Sequence, residues 1–137
     1  MALPPGVRRE APATLLAMSK PLSPVVVATS KSFEAEVLRS DVPVLVDFTA
    51  TWCGPCKALG KVLEGVARDH AGALRVVSVD IDDAPDIAAQ YGVRAVPTVV
   101  AFDRGAKVGQ RLGLTTRDKL LELLPAREQD ARMAPSR

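Results

Sequence analysis

The feature that most constrains this chain is a junction. Val44-Leu45-Val46-Asp47-Phe48 reads as a strand, and four residues later Cys53-Gly54-Pro55-Cys56 opens a stretch, 57–70, with helical periodicity. A run that apolar suits a strand covered on both faces, so the two cysteines sit where a buried strand hands over to a helix N-terminus. They are the only cysteines in 137 residues. With both inside one motif and none left to staple the fold, the pair reads as a reversible dithiol in a reducing setting.

The rest of the chain alternates in the same way. Residues 25–28 read as a strand, 32–39 as a short helix with Phe33, Val37 and Leu38 inward, and 44–49 and 74–79 as further strands. On the helix after the motif, Cys56, Leu59, Leu63, Val66, Ala67 and His70 share one face, leaving Lys57, Lys61, Glu64 and Arg68 to solvent. Asp83 is placed to cap a helix that has Pro85 in its first turn and reaches Tyr91. Residues 98–102 and 107–112 flank Arg104-Gly105 as a hairpin. Thr115 or Thr116 then precedes a last helix, 117–124, with Leu120, Leu121 and Leu124 as its apolar stripe. The order β-α-β-α-β-α-β-β-α predicts a mainly parallel sheet with helices on both faces.

At this length, with 47% hydrophobic and 25% charged residues, one core fits and two do not. The formal charge of +2 lies in the ends: residues 1–20 and 125–137 hold six Lys/Arg against three Asp/Glu, leaving twelve against thirteen between them. With few aromatics as well, no basic face argues for nucleic acid. Pro4, Pro5, Gly6 and Pro12 predict a disordered extension over 1–20, and the polar end predicts a disordered tail over 126–137, around one domain at 21–125. Met18 opens a segment that would make a complete small domain by itself. No apolar run approaches the roughly 18 residues of a membrane span, and the run at 11–18 is short and holds Pro12. Neither membrane nor secretion is expected, and the cytoplasm is the expected compartment.

The chemistry follows from thiolate supply. A free cysteine with a pKa near about 8.5 is only a few per cent ionised at neutral pH. Cys53, at the end of the strand, faces unpaired N–H groups and the positive pole of the next helix, which favours its anion and makes it the nucleophile. Cys56, three residues on, comes beside it and is the resolving thiol. Gly54 permits the turn, and Pro55 pre-sets the first helical turn. When Cys56 attacks it must lose a proton, and Asp47, an acid in an otherwise hydrophobic strand, is the candidate acceptor, with a pKa raised by desolvation.

Val46-Asp47-Phe48 leading into Trp52-Cys53-Gly54-Pro55-Cys56-Lys57, and then Tyr91-Gly92-Val93-Arg94-Ala95-Val96-Pro97-Thr98, resembles the thioredoxin family over roughly residues 22–125. The resemblance implies the thioredoxin fold of the α/β class: a central mixed five-stranded sheet flanked by four helices, with the last two strands antiparallel to the rest. It implies that Pro97 is cis and faces the cysteines, and that Gly54, Pro55 and Lys57 complete the motif that tunes the nucleophile. The backbone of Val96 would pair with an extended substrate segment, while Trp52, Gly54, Pro55 and the loop at Gly113 form a flat apolar docking surface. The substrate is then another protein's disulfide and the electron source a thioredoxin reductase. The protein itself would be a monomer with no bound cofactor beyond the redox-active Cys53–Cys56 pair.

Four departures from the family pattern stand out. Thr49 replaces a second tryptophan, Ser78 the lysine that commonly pairs with the buried acid, Lys61 a helix proline, and Ala95 a glycine beside the proline loop. None removes a catalytic group, but losing the lysine makes Asp47 harder to ionise. A zinc site is a poor rival, since zinc takes four ligands and the only histidine, His70, lies far along the helix and reads as a helix-end residue. The nearer alternatives are a disulfide oxidase or isomerase on the same fold, and a binding or assembly subunit without turnover. Gly54-Pro55 resembles the reducing branch, and intact Cys53, Cys56 and Asp47 favour turnover.

Overall fold

The apolar and amphipathic runs become, in chain order, β1 (Val26–Ala28), α1 (Glu34–Leu38), β2 (Val44–Thr49), α2 (Gly54–Asp69), β3 (Arg75–Asp80), α3 (Pro85–Gln90), β4 (Thr98–Asp103), β5 (Ala106–Leu112) and α4 (Arg117–Leu121). The structure is a computed structural model that describes residues 24–125, so the expectations for 1–20 and 126–137 lie outside the described residues.

The five strands form one sheet in the order β1-β3-β2-β4-β5. β1, β3 and β2 run parallel, β4 runs antiparallel to β2, and β5 antiparallel to β4. Only β4 is therefore reversed. The expectation that the last two strands both oppose the rest is corrected here, because a tight hairpin turns the chain back and gives β5 the direction of β2. Arg104 and Gly105 make that turn with φ of 53° and 85°, the two left-handed residues that a two-residue hairpin needs to match the strand twist. A Cβ on Gly105 would lie 2.9 Å from the Leu38 carbonyl oxygen, so glycine is required there for space as well.

Alternation along β2 sorts the core into two layers. Val44, Val46 and Phe48 pack with Phe33, Val37, Ile87 and Phe102 under α1 and α3. Leu45 packs with Leu59, Leu63, Val66 and Leu120 under α2 and α4. On the first side the rings of Phe33, Tyr91 and Phe102 meet with centroids 5.1–5.9 Å apart. On the second, truncating a fully buried leucine such as Leu59 to alanine would cost about 2–5 kcal/mol. The same alternation sends Asp47, two residues beyond Leu45, toward the α2 side.

Helix ends depart most from the sequence reading. α1 is a π-helical turn, closed by the Arg39 N–H donating to the Glu34 carbonyl at 2.9 Å. α3 is capped by Ala84 with no side-chain bond, not by Asp83. The Asp80 carbonyl accepts the N–H groups of both Asp83 and Ala84, and that turn holds Asp83 away from the cap position. Thr116 caps α4, its hydroxyl accepting from the Lys119 N–H at 3.3 Å. That helix stops at Leu121, although Leu124 beyond it is still buried.

Candidate active site

β2 and α2 build the site between them. Cys53, extended at φ −97° and ψ 111°, is the N-cap of α2, and its sulfur accepts the Cys56 N–H at 3.2 Å. Gly54 and Pro55 begin the helix, with Pro55 where a missing N–H costs nothing. Cys53 and Cys56 are joined as a disulfide. In the reduced protein the same N–H and the helix dipole would favour the Cys53 thiolate. Both cysteines are buried, 5% and 3% exposed, so Cys56 lies only slightly deeper than Cys53. Their positions differ more: Cys53 precedes the helix, and Cys56 lies on its inner face with Leu59 and Leu63. Lys57 is exposed one residue further on.

A small cluster of Ala50, Cys53 and Cys56, with Ile81 and Val96 packed against it, surrounds the sulfurs. Val96-Pro97 is the cis peptide bond that the resemblance implies. The Pro97 carbonyl accepts the Gly113 N–H at 2.8 Å, and the Thr98 hydroxyl donates to the Ala95 carbonyl at 2.6 Å. Val96, Pro97 and Gly113 are thus tied together at the dithiol end of β4 and β5. Trp52, 67% exposed, directly precedes Cys53 in the chain, and its indole N–H donates to Asp82 at 2.9 Å. Asp82 is in turn fixed by its own N–H donating to Asp80 at 2.8 Å. Leu112 and Leu114, on either side of Gly113, are exposed and extend the apolar surface.

Asp47 is placed differently. It is buried, one of its carboxylate oxygens (Oδ1) has no hydrogen-bond partner among the described residues, and burial pushes its pKa up from 3.8 to about 7. It lines a cavity of about 610 Å³ with Cys56, Thr49, Ser78, Gly60 and Glu64. Ser78 is its register partner on β3, so a neutral hydroxyl faces the acid where the family pattern has a cation. Thr49 also lines this cavity, and Lys61 is exposed on α2. His70 is the C-cap of α2, the helix-end position read from the sequence. Among the described residues no three His, Cys, Asp or Glu side chains cluster as a metal site would require.

Sequence reasoning missed Ala50, Ile81 and Asp82. Asp82 is 30 residues from Trp52, and nothing local to either residue signals the pairing. Ile81, which follows an apolar strand directly, carried a signal that was legible.

Comparison with known proteins bears on the whole described region. The family model described as Thioredoxin matches residues 24–126. A protein from Rickettsia bellii named Thioredoxin is 44% identical over 94 residues, covering 69% of this chain and 90% of that protein. Thioredoxin 1 from a Nostoc species is 44% identical over 96 residues, 70% of this chain and 90% of its own length. Thioredoxin from Pseudomonas aeruginosa is 43% identical over 102 residues, 74% and 94% respectively.

Proposed function

The chain belongs to the thioredoxin family and is a thiol-disulfide oxidoreductase, and from that premise we propose how its residues divide the reduction of protein disulfides. The Cys53 thiolate attacks one sulfur of a client disulfide, forming a mixed disulfide and expelling the other client sulfur as a thiolate. Cys56 then gives its thiol proton to the Asp47 carboxylate and attacks the Cys53 sulfur. The second client thiolate leaves, and protons from solvent complete both client thiols. Two electrons have passed to the client, and Cys53–Cys56 is the disulfide.

The observation that carries this division is the placement of the disulfide at the cap of α2 with Asp47 lining the same cavity as Cys56. An acid with a pKa near about 7 is suited to accept and return a proton at neutral pH. Gly54, Pro55 and Lys57 support the nucleophile's turn, and the exposed Trp52 with Val96, Pro97 and Gly113 receives an extended client segment. No helix among the described residues is long and apolar enough to cross a membrane. We read the protein as a cytoplasmic monomer, acting on disulfide-bearing clients rather than nucleic acid or membranes, needing no bound cofactor and recharged by a thioredoxin reductase.

The test is reductase-coupled reduction of insulin. Cys53→Ser is expected to lower turnover by at least about 10³-fold, and Cys56→Ser to accumulate mixed disulfides through Cys53. A Cys56→Ser protein that traps no client would overturn the assignment of roles.

A further inference from the structure

The cavity beside the resolving cysteine holds more than the exchange reaction uses. Its floor is Asp47, 5% exposed, with an oxygen that meets no donor among the described residues. Glu64, half-buried on α2, lines the same space, and among the described residues neither carboxylate has a salt-bridge partner. Ser78 and Thr49 add hydroxyls, while Val27 and Leu63 supply hydrocarbon. At about 610 Å³ the space far exceeds one water and falls within the range of small-molecule sites.

We propose that this cavity binds a primary alkylammonium group, the ammonium on the carboxylates of Asp47 and Glu64 and the carbon chain along Val27 and Leu63. The donor set decides the class of ligand. Calcium takes about six to eight oxygens and magnesium a near-octahedral shell, whereas this lining offers two acids, two hydroxyls and a largely aliphatic wall. An alkylammonium brings three N–H donors for the unpartnered oxygens and an apolar stem for the valine and leucine. Among the described residues the charged groups facing Asp47 across the space are confined to Glu64; β1 contributes only valines, β2 and β3 only hydroxyls besides Asp47 itself, and Cys56 is held as a disulfide. A bound ammonium therefore supplies a positive charge that no described residue lining this space supplies, and keeps Asp47 ionised to lower pH. The group has two natural sources, a free polyamine and a lysine side chain of a docked client.

Carboxyl NMR of Asp47 in the oxidised full-length protein tests this without relying on thiol exchange. Titration with n-butylammonium at constant ionic strength is expected to lower the Asp47 midpoint saturably, by about one unit or more. Tetramethylammonium, which has charge but no N–H, and magnesium chloride are expected to leave it in place. Gly60→Leu fills the space from a helix position where a Cβ meets nothing within 4 Å, and is expected to abolish the effect. Glu64→Gln, on the partly exposed side of the helix, is expected to weaken it and decides the matter if Gly60→Leu does not fold. Putrescine and a blocked lysine amide, run in parallel, distinguish the free amine from the side chain. A midpoint that does not move with n-butylammonium, that tetramethylammonium or magnesium moves equally, or that Glu64→Gln leaves equally responsive, would overturn the proposal.

Discussion

Cys53 and Asp47 lie on either side of the same turn, each 5% exposed, yet the fold treats their charged forms in opposite ways. Cys53 caps a sixteen-residue helix and accepts a backbone N–H. Asp47 faces a cavity with an oxygen that no described residue satisfies, and its register partner on β3 is the neutral Ser78. Burial alone thus does not set ionisation; the donors that accompany it do. The surroundings of one favour an anion and those of the other a held proton, and the proposed two-step exchange uses them in that order.

The largest expected effect breaks the comparison on the Asp47 side. Because its pKa is raised from 3.8 to about 7, the folded state favours the protonated acid. The stability tied to it is full below about pH 4 and is lost as pH rises through about 7, amounting to about 4 kcal/mol. Asp47→Asn removes this loss. Urea unfolding of the oxidised variant should show its advantage over wild type growing by about that amount from pH 4 to pH 8, and a difference independent of pH would refute the assignment. Next, Ser78→Lys puts a cation opposite the acid and should lower its titration midpoint by about 1–3 units, measured by carboxyl NMR. On the Cys53 side, iodoacetamide at pH 7 should modify reduced Cys53 on the order of tenfold faster than free cysteine, with Cys56 lagging. Equal rates for both thiols would erase the contrast. The smallest effect sharpens the edge of the site: Asp82→Ala frees the Trp52 indole, changing its fluorescence while costing about 1 kcal/mol or less of stability.

The parts of this arrangement that could be read from sequence are those written in local period and chemistry. The boundaries 44–49 of β2 were legible because its apolar run begins directly after Pro43 and gives way to Thr49 ahead of the cysteine motif, and the inner face of α2 because Leu59, Leu63 and Val66 recur at helical spacing. Arg104-Gly105 marked its turn because few residue pairs tolerate two positive φ angles. What periodicity could not supply was direction: nothing in 98–112 distinguishes a reversed β4 from a reversed β5. The cap of α3 was misread because Asp83 has the right side chain for the task, while the turn anchored on the Asp80 carbonyl places Ala84 there. At the site, the burial of Asp47 was legible in its apolar neighbours, but the cavity shared with Glu64 depends on the packing of α2 over β1 and β3.

The two ends of β5 differ in how much company they accept. At Gly105 the hairpin tip is pressed against the end of α1, with no room for even a methyl group, whereas Gly113, also at positive φ, has nothing within 4 Å of the place a Cβ would occupy. An affinity tag or reporter spliced in at the tip would pry the strand from its helix. The open end has no such neighbour, so under the proposed docking of an extended client it is the extremity at which the strand could receive another backbone, while the other moors it to its helix.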